Sequence, residues 1–460
     1  MASLFLKNKH LLHRAGFGLT LANFNSLKKT ATLEIWKQLL SQSKGKLSDL
    51  SIGNAVRENS NNTKSSPEEK RALAKKNRAM NMELNIRWFH EMVTTQAQLR
   101  EKMAFFWHGH FATRIQNNTF NQDIIQIFRK NALGNFGDLL FEVSQSPAML
   151  QFLNNQQNRK DHPNENFARE VLELFTMGRG NYSEKDIKEA ARAFTGWTFD
   201  KDGSFVERKK NHDSGMKTFL GKTGNFDGND ILKIILENKQ TARFITTKIY
   251  KFFVNEKINN QYISFLSDRF YQSNYNIEGL LTDIFTSDWF YEEENIGAKI
   301  KSPIELMVGI QRTLPMKIER TESLLNFQKL MGQVLLMPPN VAGWPQGKSW
   351  IDSSTLMLRL KLPQIWSGIL PMDYEGKDDD DVDMGMKERT MKSTKIRHLK
   401  NAGGTIDWSK IENALQDENI FDILLQKQFS HSKEVIRQFS GQSMKSQIIN
   451  TMSTPEYQLC

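Results

Sequence analysis

The sequence predicts a mainly α-helical protein, a multi-helix single globular array with at most a small β-hairpin or sheet around residues 197–228. Three observations carry this. Apolar residues recur at three- and four-residue spacing from residue 80 onward. Eleven prolines and 27 glycines in 460 residues are too few for an all-β protein rich in turns. Thirty phenylalanines and nine tryptophans supply a real core and exclude global disorder.

The stretch "MNMELNIRWFHEMVTTQAQLREKMAFFWH" (80–108) reads as helix, and Gly109 is expected to end it. "FNQDIIQIFRKNALGNFGDLLFEVSQSPAML" (120–150) continues in the same style. "PNENFAREVLELFTMG" (163–178) predicts a helix capped by Asn164 and stopped at Gly178. "YSEKDIKEAARAFTG" (182–196) carries a capping box at Ser183 and Asp186 and a terminal Gly196. The polar, glycine-rich passage 197–228 follows, and its alternation around Thr198–Val206 predicts the hairpin. Helices resume in "TARFITTKIYKFFV", "ISFLSDRFYQS", "IEGLLTDIFTS" and "SPIELMVGIQRTL".

This organisation predicts a main helical domain over 1–371 with a mobile loop at 51–70. A polar insertion over 372–395 comes next, then a C-terminal helical segment over 396–460 that packs on the main domain. The four consecutive aspartates in the insertion lack the glycine and glutamate positions of a calcium loop, so a solvated loop is expected there.

Net charge is +10 and spread along the chain, with no block of mixed basic and aromatic residues that would make a nucleic-acid platform. The single cysteine, Cys460, excludes an intrachain disulfide. No stretch approaches the length of a membrane span, and "MASLFLKNKHLLHRAGFG" lacks the apolar run of a signal peptide. As written the chain is expected to be cytoplasmic; a leader preceding it would imply export. Dinucleotide and nucleotide-cradling glycine motifs are absent, as is a nucleophile elbow.

Four runs carry candidate chemistry. In "FWHGHFAT" (105–112), a helix ending at Gly109 would set His108 and His110 on a bend where both face one ligand, and neutral imidazoles suit a divalent metal as cofactor. The alternative is a pair of packed histidines among aromatic rings. In "NENFAREVLEL", Asn166, Glu170 and Glu173 form one helical stripe beside the apolar Phe167, Val171 and Leu174. Glu165 and Arg169 fit an ordinary surface pair, and a partly buried Glu170 would serve as general acid or base. "NHDSGMKTFLG" (211–221) offers His212 and Asp213 on a glycine-bearing loop. "MPPNVAGWPQGKSWI" (337–351) is a rigid irregular run whose Trp344 and Trp350 either fill a cavity or meet a flat ligand face.

Taken together, "HLLHRAGFG", "REKMAFFWHGHFAT", "NALGNFGDLL", "SPAMLQFLNN", "NENFAREVLELFTMGRGNYSEKDIKEAARAFTGW", "HDSGMKTFLG", "KSPIEL" and "PPNVAGWPQGKSWI" resemble, in order, an uncharacterised bacterial family filed as "domain of unknown function eighteen hundred". The resemblance runs from His10 to about Arg359. It implies a largely helical protein, often encoded beside a sulfatase-like family that is typically exported. Its characteristic polar residues correspond here to His10, Arg14, His108, His110, Asn164, Glu165, Asn166, Arg169, Glu170, Arg192, Trp197, His212, Asp213, Lys217 and Trp344.

The expected function is therefore a hydrolase-like activity on a polar or anionic, carbohydrate-like substrate. Glu165, Glu170, His212 and Asp213 are the catalytic candidates. Asn166, Arg169, Arg192, Trp197, Lys217 and Trp344 would bind substrate, with His108 and His110 on the metal. The alternative is a non-catalytic helical scaffold, a partner of the sulfatase-like neighbour, in which the same residues lock helices together.

Overall fold

The computed structural model describes residues 2–53, 66–370, 403–427, 438–439 and 441–460. The fold is mainly helical, with three two-stranded antiparallel sheets. Two of the sheets lie in the expected window. Trp197–Phe199 pairs with Phe205–Glu207 in the register Thr198↔Val206, and Lys217–Phe219 pairs with Lys222–Gly224. The third, Met316–Ile318 with Gly404–Ile406, has no counterpart in the sequence pattern. Among the described residues, no helix is long and apolar enough to cross a membrane.

The chain forms two compact units. One holds Met1–Phe17, Leu27–Asn295 and Leu335–Pro345, and the candidate catalytic, substrate-binding and metal residues belong to it, whereas Trp350 does not. Its core is aromatic: Trp88, Phe89, Trp107, Phe111, Phe128 and Phe136 are all fully buried. The other holds Gly18–Ser26, Ile296–Val334 and Gln346–Cys460. Inside this second unit Arg359 is buried and donates to the Lys301 carbonyl and to Gln458 Oε1, while the Cys460 backbone pairs with Lys299. The described part of 396–460 carries the helices Trp408–Leu415, Ile420–Leu424 and Met444–Met452.

Several boundaries differ from expectation, each for a local reason. The 80–108 helix is two helices, Pro67–Thr94 and Gln98–His110, broken where Thr95 turns extended and its Oγ1 accepts the Ala97 N–H at 3.0 Å. The first begins inside the expected loop 51–70, because Ser66 and Glu69 form a capping box with Pro67 in the first turn. Residues 54–65 of that loop, and the insertion 372–395, lie outside the described residues. Residues 120–150 form three helices, Asn118–Lys130, Phe136–Ser144 and Pro147–Phe152. The capping box at Ser183 and Asp186 is present on the helix Glu184–Ala193.

Gly109 does not end its helix, which continues to His110. Glycine costs a helix interior about 1 kcal/mol, and here the neighbours outweigh it: every other residue of Gln98–His110 is buried. The demanding glycine is instead Gly343, at φ +83°, where a Cβ would stand 2.3 Å from the Gly109 carbonyl oxygen. A Cβ at Gly109 meets nothing within 4 Å. Gly343→Ala is therefore expected to cost about 2 kcal/mol or more, whereas Gly109→Ala is neutral or slightly stabilising. Paired thermal melts check this contrast.

Candidate functional site

Because the helix runs through Gly109, His108 and His110 leave it about 200° apart and cannot share a ligand. This corrects the expected metal pair, and among the described residues no three His, Cys, Asp or Glu side chains gather to hold an ion. Each histidine holds an irregular segment instead. His108 Nε2 accepts the Leu336 N–H at 3.0 Å, and Asn85 donates to the Leu335 carbonyl at 2.8 Å. Leu336 sits at φ +69°, a left-handed conformation that costs a branched side chain energy. Trp344 is buried against His108 at 5.1 Å between ring centroids, so it packs the loop and presents no open face to a ligand.

On the other side, His110 Nε2 donates to the Phe175 carbonyl at 3.0 Å, and its Nδ1 accepts from Lys248 Nζ at 3.3 Å. Lys248 also donates to the Leu174 carbonyl at 2.9 Å. Those carbonyls need outside donors because they stand in the last turn of the helical segment, which ends as the π-helix Val171–Thr176. Burial keeps the His110 imidazole neutral, with the Lys248 charge adding to the effect, and burial lowers the Lys248 ammonium to about 8.

The π-helix continues a short α-helix, Asn166–Glu170, that begins one residue later than expected, with Glu165 at the cap position. Asn164 still accepts the Asn166 N–H at 2.9 Å, and the exposed Asn166 donates to the Leu153 carbonyl. Arg169 spans both oxygens of Glu184 at 2.9 Å and also reaches Glu165 at 3.1 Å. The fork meant for a substrate anion is thus taken, and Glu165 is its surface partner.

Glu170 differs. It is half-buried and makes no side-chain hydrogen bond or close ion pair among the described residues; burial first, then the Glu173 charge, raises its carboxyl above the ordinary range against the opposing charges of Arg169 and Arg179. Glu173, one turn on, is held by Arg179 at 2.5 Å and Tyr182 at 3.4 Å.

A separate cluster joins Arg192, Asp213 and Lys217. Arg192 spans Asp213 at 2.7 and 3.2 Å and Glu189 at 3.1 Å, and this pairing holds the Asp213 carboxyl below its usual range. Lys217 is buried and donates to the Asp213 and Gly215 carbonyls, while Glu189 and Asp186 accept the backbone N–H groups of Thr218 and Leu220. His212 turns elsewhere, donating from Nδ1 to the Thr195 carbonyl at 2.9 Å, so Asp213 does not orient it. Trp197 is fully buried among Phe194, Phe205 and Phe167, leaving no face for a ligand. His10 and Arg14 are likewise interior: His10 stacks on Phe290 at 4.6 Å, and Arg14 donates to the Asn295 carbonyl.

Sequence reasoning passed over one ionic centre. Glu101, fully buried, accepts Arg129 Nε at 3.0 Å on both oxygens, Trp88 Nε1 at 3.0 Å and Arg100 Nε at 3.4 Å. Its signal was "REK" within "QLREKMAFFWHGH": where apolar residues cover every face of a helix, its charges are buried too.

Fold and geometry define a helical protein whose candidate polar residues mostly fasten irregular segments, with the Glu170 carboxyl left free of hydrogen bonds among the described residues. The family model described as "Protein of unknown function (DUF1800)" matches residues 10–459, and the chain belongs to that family. No curated protein and no solved structure matches it.

Proposed function

We propose that this protein is a hydrolase acting on a polar or anionic, carbohydrate-like substrate, with Glu170 as the proton donor. The observation that carries this reading is the unpartnered, half-buried Glu170 carboxyl, which burial biases toward the protonated form beside the fastened carboxylate of Glu173. Two carboxyl groups in unlike settings are how one site supplies an acid and a base near neutral pH. The exposed Arg179, next to Glu173, is the cation that would meet an anionic substrate. Arg192, Asp213 and Lys217 hold their hairpin and take no chemical step.

The test is a panel of chromogenic glycosides, sulfate esters and acidic polysaccharides. Glu170→Gln is expected to lose at least about a hundredfold in kcat, the usual contribution of a general acid, with its melting temperature unchanged. Glu165→Gln should keep wild-type kcat. Full activity in Glu170→Gln, or no turnover of any panel member by the parent protein, defeats the proposal.

The second reading, a non-catalytic partner of a sulfatase-like protein, is favoured by the sealed His108 and His110, whose Nε2 atoms serve the Leu336 amide and the Phe175 carbonyl. It is the reading left standing if the panel fails.

A further inference from the structure

The buried ionic centre borders a cavity of about 450 Å³, lined by Arg100, Arg129, Lys44 and Lys130 together with glycines 45 and 134 and the single carboxylate Glu278. Cavities of this volume hold small molecules. Four of its lining side chains are cationic. The carboxylates Glu101, Glu91 and Glu142, which also pair with these cations, do not line it.

Arg129 is spent: Nε serves Glu101, Nη1 serves the Ser48 carbonyl and Gln126, and Nη2 serves Ser48 Oγ. Arg100 is not. Its Nε reaches Glu101, and its Nη1 serves the Ser43 and Gly45 carbonyls at the end of the helix Thr32–Ser43. Nη2 has no acceptor among the described residues and is not sealed from solvent, although Arg100 as a whole is only 5% exposed. A guanidinium nitrogen left without an acceptor in so buried a side chain normally finds one in solvent or ligand. At the rim, Lys44 and Lys130 are more than half exposed, each holding one carboxylate at 2.8 Å and keeping further N–H donors.

We infer that this cavity is a binding site for the oxyanion of a small molecule, a phosphate, sulfate or carboxylate. Arg100 supplies the inner donor, and Lys44 and Lys130 supply the entrance charge. The site is separate from the Glu170 pair and does not depend on the hydrolase reading. One tetrahedral or planar oxyanion accepts the Nη2–H in a charge-assisted hydrogen bond, the stronger kind of bond available to arginine.

Titration calorimetry and thermal melts of the full chain, with inorganic phosphate, sulfate, citrate and neutral glucose as probes, test the inference. Phosphate, sulfate or citrate should bind saturably and raise the melting temperature, glucose should not, and the preferred probe tells a tetrahedral group from a carboxylate. Arg100→Gln is expected to weaken binding by about tenfold or more, the loss of one charge-assisted bond. Because that variant also disturbs the Gly45 contact, the exposed pair Lys44→Gln with Lys130→Gln is the control for folding. It should melt like the parent in buffer yet bind several-fold more weakly, and more so at low salt. Absence of saturable binding by all three anions, or wild-type affinity in the rim double variant, overturns the inference.

Discussion

Replacing Glu101 with leucine is expected to cost about 3–5 kcal/mol, the penalty of stranding a buried charge. Arg129, fully buried, would lose both of its carboxylate contacts at Nε, and Trp88 Nε1 would lose its acceptor. In a unit of this size the change lowers the melting temperature by roughly 10 °C. Adding Arg129→Met should recover much of the loss, since a buried ion pair exchanged as a whole for apolar groups is often close to neutral. A loss below about 1 kcal/mol in Glu101→Leu would mean that another group carries the counter-charge.

The second large effect is on acid stability. Burial lowers the His108 imidazole to about 3, against about 6.5 in the unfolded chain. Between these values the unfolded state binds the extra proton, so stability is fully present above pH 6.5 and falls as the pH drops toward 3. From pH 7 to pH 4.5 this one residue removes roughly 2.5 kcal/mol, and His110, also held neutral by burial, adds in the same direction. His108→Gln keeps an acceptor for the Leu336 N–H but does not titrate. It should flatten the acid slope seen in urea midpoints measured across this range. An unchanged slope would rule His108 out as the source of the acid sensitivity.

Much of the helical frame was legible because periodicity and capping are local. Ser183 and Asp186 form their box wherever the helix packs, and the hairpin around Thr198–Val206 comes from alternation alone. The fate of Gly109 was not legible, since a propensity of about 1 kcal/mol is overruled by a helix buried on nearly all sides. Nor was the use of the polar runs. Arg169 and Arg192 read as ligand clamps by residue type, yet their carboxylate partners Glu184 and Asp213 lie 15 and 21 residues away and come together only on folding. Glu170 was legible as a border residue between stripes, and its isolation is the part that the structure adds.

The π-helix has a consequence for the length of the chain. Each helical residue turns the backbone by about 100°, so removing any one residue from Val171–Thr176 would let the segment close as an α-helix and rotate the downstream backbone by that angle. The carbonyls now at Leu174 and Phe175 would swing away from Lys248 and His110, taking the acceptor from His110 Nε2 and leaving Lys248 only His110 Nδ1. A single-codon deletion in this six-residue window is therefore felt at side chains far along the gene. In a deletion scan it should register as a sharp intolerant notch.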